Sequence, residues 1–251
     1  MQLNGNTVLI TGGTSGIGLA FAEQFTQAGS KVIITGRREE RLKAIAERLH
    51  GVITKISDVA DEKQREALVE WVVQNHPQTN ILVNNAGVQL LTDLKRPVDL
   101  NRVRVETETN FIAPVHLSSL FAQHFASKQS AAIINISSGL AFVPLAFMPV
   151  YCATKAAIHS LTLSLRYQLK NTAIKVFEIA PPAVDTELGN DRREDKTQTH
   201  GGMPVPEFIE QAMHALKNDI LEAPIGTAKN SREKREALFV EMNSRFSWSI
   251  F

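Results

Sequence analysis

The chain has 251 residues, 43% of them hydrophobic and 21% charged, with a net charge of +1 and one cysteine, Cys152. That length suffices for one large α/β domain with a substantial core, while the near-neutral charge excludes the concentrated basic face of a nucleic-acid binder and no apolar run reaches membrane-spanning length. A lone cysteine forms no internal disulfide and MQLNGNTVLITGG runs straight into a strand, so a cytoplasmic protein without a signal peptide is expected.

Strand and helix signals alternate from the start. Thr7–Thr11 reads as a short apolar strand, followed by a glycine-rich turn and the helix IGLAFAEQFTQAG, which Gly29 closes as a C-cap. Lys31–Thr35 is the next strand. Arg38–Leu49 is an amphipathic helix with a Glu39/Lys43 pair one turn apart. Val52–Ile56 is strand three, Asp61–Asn75 a helix and Ile81–Asn84 strand four. A longer helix covers Leu100–Ala126. Ala131–Ser137 is strand five, Tyr151–Lys170 a helix and Ile174–Ile179 strand six. These strands are short, β-branched and barely alternating, the pattern of parallel strands buried on both faces. Successive β–α units then give an α/β, three-layer, doubly wound parallel sheet with helices on both faces. One domain is expected over residues 1–251. Its segment 185–206, rich in charge, glycine and proline, is expected to form an irregular substrate lid. KNSREKREALFVEMNSRF reads as a charged helix followed by an aromatic tail.

The turn TGGTSGIG places Gly12, Gly16 and Gly18, with Thr14, Ser15 and Ile17 among them, between strand one and helix one. Glycines let backbone approach a pyrophosphate, and the helix N-terminus offers N–H groups and a positive dipole end. With a strand before and a helix after, the turn predicts a dinucleotide site. Strand two ends in TGRR, where an NAD site usually carries a carboxylate for the ribose 2′-hydroxyl. A guanidinium there can instead take a 2′-phosphate. Arg37 is the first candidate and Arg38 the second, so NADP(H) is preferred and NAD(H) possible.

Tyr151 and Lys155 are four residues apart, one helical turn on one face, and Ser138 precedes the tyrosine by thirteen residues. A free phenol titrates near pH ~10, and use as an acid near neutrality needs a shift of about two to three units, or about 3–4 kcal/mol. An ammonium about 4 Å away, at an effective dielectric near 20, supplies about 4 kcal/mol. Tyr151 would therefore exchange a proton with a substrate oxygen, Lys155 would make it acidic, and Ser138, with Ser137 as the alternative, would hydrogen-bond that oxygen. Asn110 lies in the helical run TNFIAPVHLSSLF. Pro114, four residues on, has no N–H, so the Asn110 carbonyl lacks its helical partner.

Together TGGTSGIG, the Asp58-Val59 pair, NNAG (Asn84–Gly87), Asn110, Ser138 and YCATK (Tyr151–Lys155) resemble the short-chain dehydrogenases/reductases from residue 6 to about 188. EIAPPAVDTEL is similar to the DltE-like subgroup. The resemblance implies a Rossmann fold of about seven strands, a homodimer or homotetramer, and an oxidoreductase interconverting a ketone or aldehyde and an alcohol. It implies that Lys155 also bonds the nicotinamide ribose, that the Asn110 carbonyl holds a water in a proton relay, and that Asn85, Ala86 and Gly87 position the cofactor. It further implies that Asp58, beside Val59, meets the adenine amine, and that Thr186, with Pro181 and Val184 before it, bonds the carboxamide. Pro181-Pro182 stands where the family usually has Pro-Gly, and the second proline stiffens the loop by forbidding positive φ.

Leu91, Leu140, Val143, Phe147, Met148, Pro182 and Leu188 are expected to border the substrate. An apolar lining favours hydrophobic ketones or secondary alcohols over phosphorylated or carboxylate substrates. His116 and His159 lack partners at metal-ligand spacing and are expected to be structural or surface residues, so no metal is expected. Cys152, about 100° round the helix from Tyr151, is expected to be packed rather than reactive. The competing readings are a non-catalytic cofactor-binding sensor on the same fold, and an epimerase or dehydratase, whose chains usually need a longer C-terminal region.

Overall fold

The computed structural model describes residues 1–189 and 201–244. Its centre is a sheet of seven parallel strands in the order β3-β2-β1-β4-β5-β6-β7. The strands are β1 (Thr7–Thr11), β2 (Lys31–Gly36), β3 (Ile53–Ile56), β4 (Ile81–Asn84), β5 (Ala131–Ile136), β6 (Ile174–Ala180) and β7 (Glu222–Pro224). The helices are α1 (Gly16–Gln27), α2 (Glu39–Arg48), α3 (Glu62–Asn75), α4 (Leu100–Thr107), α5 (Ala113–Phe125), α6 (Pro149–Gln168), α7 (Val205–Lys217), α8 (Ala228–Lys234) and α9 (Phe239–Ser244). The order reverses between β1 and β4, which pair at Val8–Ile81, Leu9–Leu82 and Ile10–Val83. The crevice beyond the carboxyl ends at such a reversal is where doubly wound sheets bind ligands.

Each central strand feeds both faces. Val8 and Ile10 pack with Phe21 and Phe25 of α1, Leu42 of α2 and Phe208 of α7. Leu9 packs on the other face with Leu68 and Val72 of α3 and Phe121 and Phe125 of α5. This two-sided burial explains why the strands read as continuous apolar runs rather than alternating ones.

Helix α1 ends as expected, but through two residues. Gly29, at φ 86, follows the C-cap Ala28. The Gly29 and Ser30 amides bond the carbonyls of Thr26 and Phe25, the paired pattern of a Schellman motif. The expected helix Leu100–Ala126 is broken into α4, a π-helical turn at Glu108–Ile112 and α5. Pro114, lacking an N–H, makes an unbroken α-helical ladder impossible here.

Two elements corrected the sequence reading. The expected lid at 185–206 overlaps α7, which starts at Val205, and Val184 pairs with Met203 in an isolated bridge. Residues 190–200 of that lid lie outside the described residues, as does the tail 245–251. The expected C-terminal helix is divided into α8, a 3₁₀ turn at Arg235–Leu238 and α9.

Candidate active site

The carboxyl ends of β1, β4 and β5 are fixed by a buried polar ladder. Asn84 Nδ2 donates to Asn135 Oδ1 at 2.8 Å and to Ser118 Oγ at 3.1 Å, and Asn135 Nδ2 donates to Thr162 Oγ1 at 2.9 Å. Thr11 Oγ1 accepts from the amides of Asn85 and Ala86, both at 3.1 Å, and Asn85 Nδ2 donates to the carbonyls of Thr11 and Gly12. Asn85 thus locks NNAG onto the first strand, while Asn84 ties it to β5 and α5. Such a ladder holds shape because each buried amide would be costly unpaired.

The glycine turn is shaped for close approach. Gly12 sits at φ 66, and a Cβ on it would stand 2.8 Å from Ala86 Cα. Gly16, at φ 53, would put a Cβ 3.1 Å from Thr186 Cβ, so the segment after β6 lies directly over the turn. At the start of α1 the N-cap Ser15 makes no side-chain capping bond, and the first turn holds no acidic residue. Uncapped N–H groups with no competing carboxylate suit an anionic pyrophosphate. The donor set therefore fits a dinucleotide, and Gly12–Gly18, with Thr14, Ser15 and Ile17, would hold its phosphates.

At the end of β2 the two arginines diverge. Arg37 Nη1 stands 3.9 Å from Asp58 Oδ2. Arg38 turns onto the glycine loop, its Nη2 at 3.4 Å from both Thr14 Oγ1 and Ser15 Oγ. Arg41, which the sequence reading did not single out, joins it one turn along α2 by bonding Glu187. Asp58 Oδ1 accepts from the Ala60 amide, and Val59 gives its carbonyl to buried Arg65 at 2.6 Å.

Lys155 is buried beside Tyr151, its Nζ 5.6 Å from the phenol ring centroid. The same Nζ donates to the Ile136 carbonyl at 2.9 Å. Burial pushes the Lys155 ammonium down to about 8. Gly87 lies against it, with a Cβ position 3.9 Å from Nζ. Ser138 caps the 3₁₀ turn Gly139–Ala141, its Oγ accepting from the Leu140 amide at 3.1 Å. Accepting leaves a hydroxyl its proton to donate. Ser137 Oγ instead points at the Ile179 carbonyl, 3.5 Å away in the sheet. That geometry favours Ser138 of the two serines.

The Asn110 side chain pins three pieces of the site. Its Nδ2 donates to the Val88 carbonyl at 2.8 Å and to Thr154 Oγ1 at 3.2 Å, and its Oδ1 accepts from the Val88 amide. It thereby ties the segment after NNAG to the helix carrying Tyr151 and Lys155. The expectation from sequence concerns only the Asn110 main-chain carbonyl, and this side-chain anchoring is additional to it.

Leu91, Leu140, Phe147 and Met148 gather with Tyr151, Cys152 and Leu145 in one apolar cluster, joined by Met242 of α9. Val143 does not join them. It is fully buried in a separate cluster with Phe142, Ala180 and Leu238. Leu188 is exposed, and Pro182 packs near Gly226. Asn243, also missed, accepts from the Ala146 amide at 2.7 Å and donates to the Pro144 carbonyl, so α9 braces the loop before Tyr151. Thr186 Oγ1 accepts from the Leu188 amide, Pro181 accepts from the Gly139 amide, and Val184 is buried against Met203. Cys152 is buried, and its thiol is pushed up to about 11 by desolvation.

His159 is not on the surface. Its Nδ1 meets buried Glu178 Oε2 at 2.8 Å, and among the described residues His159, Glu178 and Glu222 are spaced as metal ligands could be. Arg232 Nε already pairs with Glu222 Oε1 at 2.5 Å, so a cation is present in this cluster as a guanidinium. His116 Nδ1 accepts from Arg65 Nε at 3.2 Å.

The family model described as short chain dehydrogenase matches residues 6–197. The chain is 45% identical over 250 residues to an uncharacterized oxidoreductase, DltE, of Bacillus subtilis (strain 168), covering 98% of this chain and 99% of that one. It is 36% identical over 249 residues to sulfoacetaldehyde reductase 2 of Chromohalobacter salexigens, covering 97% and 96%. Among solved structures it matches a short-chain dehydrogenase from Sphingobium yanoikuyae in complex with NADPH, at TM-score 0.80 and 27% identity over 97% of both chains. It also matches the bulky-bulky ketone specific alcohol dehydrogenase from Comamonas testosteroni, at TM-score 0.79 and 26% identity over 98% and 96%.

Proposed function

The chain is an oxidoreductase of the short-chain dehydrogenase family, and we propose that it reduces a hydrophobic ketone or aldehyde to an alcohol, or the reverse, with NADP(H). The observation that carries this reading is Lys155 buried beside Tyr151 at the mouth of the sheet's reversal point. The cofactor, when bound, supplies or accepts the hydride. Tyr151 then gives its phenolic proton to the substrate oxygen in reduction and takes it back in oxidation. Lys155 stabilises negative charge on the phenolic oxygen as the proton leaves. Ser138 donates to the substrate oxygen and offsets the charge that develops there. Asn110 sits at the helix break, where its carbonyl would accept a hydrogen bond from a water that relays a proton toward Lys155.

The NADP(H) preference rests on Arg38 against the loop hydroxyls, with Arg37 and Arg41 beside it and no carboxylate among β2's own residues. The relative crystallised with NADPH is in keeping with it. The apolar cluster of Leu91, Leu140, Phe147 and Met148 supports a hydrophobic substrate, as does the relative acting on bulky ketones. Tyr151→Phe tests the mechanism. It should lower turnover by about 10²–10⁴-fold while NADPH binding, read by fluorescence titration, stays within about twofold. Unchanged turnover would remove Tyr151 from the mechanism, and a wild type without turnover would leave only a cofactor-binding sensor.

A further inference from the structure

Glu187 reaches across the carboxyl edge of the sheet to the arginines of α2. Its Oε1 and Oε2 lie 2.8 and 2.6 Å from Arg41 Nη1, and Oε2 lies 3.4 Å from Arg38 Nη1. Arg38 is the same residue whose other nitrogen touches the hydroxyls of Thr14 and Ser15 in the phosphate turn. This is the place, at the end of β2, where a doubly wound site reads the ribose 2′ position. An anion already occupies it, and the anion belongs to the chain. The two arginines hold the Glu187 carboxylate below its ordinary range, Arg41 contributing most.

We propose that Glu187 is an internal stand-in for the 2′-phosphate of the nucleotide, and that Arg41 is a specificity-determining residue of the same pocket. The proposal rests on the NADP(H) reading above. A phosphate monoester between Arg38 and Arg41 meets the guanidinium pair that Glu187 now satisfies. Both anions cannot share it, because a dianion beside a carboxylate is repelled at this range. The nucleotide's 2′-phosphate therefore displaces Glu187. A 2′-hydroxyl carries no charge and leaves the carboxylate in place.

Displacement has a consequence along the chain. Glu187 sits between Thr186, which lies over Gly16, and Leu188, whose amide bonds Thr186 Oγ1. Releasing the carboxylate frees this segment from its tie to α2. Occupancy of the 2′ position is thus coupled to the segment that lies over the phosphate turn, and the coupling is reciprocal.

Isothermal titration of the full chain with adenosine 2′,5′-diphosphate and with 5′-AMP separates the two claims. Tighter binding of the 2′-phosphorylated ligand by the wild-type protein tests the NADP(H) reading. Glu187→Gln tests the stand-in. It should tighten adenosine 2′,5′-diphosphate by about fivefold, the weight of an exposed ion pair, and leave 5′-AMP within about twofold. Arg41→Gln should weaken the 2′-phosphorylated ligand by about tenfold and spare 5′-AMP. Glu187 is exposed on the surface, so its replacement spares the fold. Equal or weaker binding of adenosine 2′,5′-diphosphate by Glu187→Gln would overturn the stand-in, since a carboxylate that merely positions the arginines gives that result. An indifferent Arg41→Gln would overturn the role of Arg41. A wild type blind to the 2′-phosphate, with a variant that still gains affinity for it, would sink the cofactor reading alone.

Discussion

Lys155 carries both the chemistry and a measurable cost to the fold. Its folded value of about 8 lies below the ordinary 10.5 because burial disfavours the charged form. Between those values the unfolded chain binds more protons than the folded one, so stability rises with pH. The gain is complete above 10.5 and is lost as pH falls through about 8. Its full size is about 3 kcal/mol. The difference in unfolding free energy between wild type and Lys155→Met in the absence of nucleotide should therefore move in favour of wild type from pH 8 to 10.5. A difference independent of pH would contradict the buried, perturbed lysine. The Tyr/Lys spacing made this pair legible from sequence, since a separation of four has one meaning on a helix. The side-chain anchoring by Asn110 was not legible, because its partners Val88 and Thr154 come from separate elements. Arg41 was within reach of sequence reasoning, one turn beyond Arg37 and Arg38. Glu187 was not, because nothing local says that the segment after β6 crosses to α2.

Helices α4 and α6 carry apolar side chains beyond those they bury. In the described chain they leave Leu100, Val105, Leu163 and Tyr167 exposed, with Ile112 on the π-helical turn between α4 and α5. Apolar side chains left open along adjacent helices ask for cover from another chain. We propose that a second copy supplies it, as a homodimer or homotetramer. Light scattering should then give a mass near two or four times the chain's 27.7 kDa, and Leu163→Lys combined with Tyr167→Lys should lower it. A wild-type mass of one chain would contradict this. Element boundaries failed where backbone chemistry competes with pattern. Pro114 converts an apparently continuous helix into a π-helical turn, and the charged C-terminal run hides a break at Arg235, whose φ is 48. Helix α7 was missed although its apolar face is strong, because the proline-rich stretch before it reads as loop and Pro206 sits at its first turn, where proline is tolerated.

At the scale of the whole molecule, alternating β and α signals with two-sided apolar strands left only one economical arrangement, and the seven-stranded parallel sheet follows from it. β7 escaped because three residues at the sheet edge carry little pattern. No helix among the described residues is long and apolar enough to cross a membrane. The sheet's reversal between β1 and β4 brings the glycine turn, NNAG, Ser138 and the Tyr151–Lys155 face to one edge, though they are spread from residue 12 to residue 155. On the function proposed above, this edge delivers a hydride to a carbonyl carbon while Tyr151 supplies the proton. The most direct measurement uses NADPH deuterated at the transferred C4 position, with a panel of aryl and alkyl ketones, and follows the label by mass spectrometry. The expected product is an alcohol with one deuterium on its carbinol carbon, formed by wild type and all but absent with Tyr151→Phe. Alcohol without the label, or NADPH left unconsumed across the panel, would contradict it.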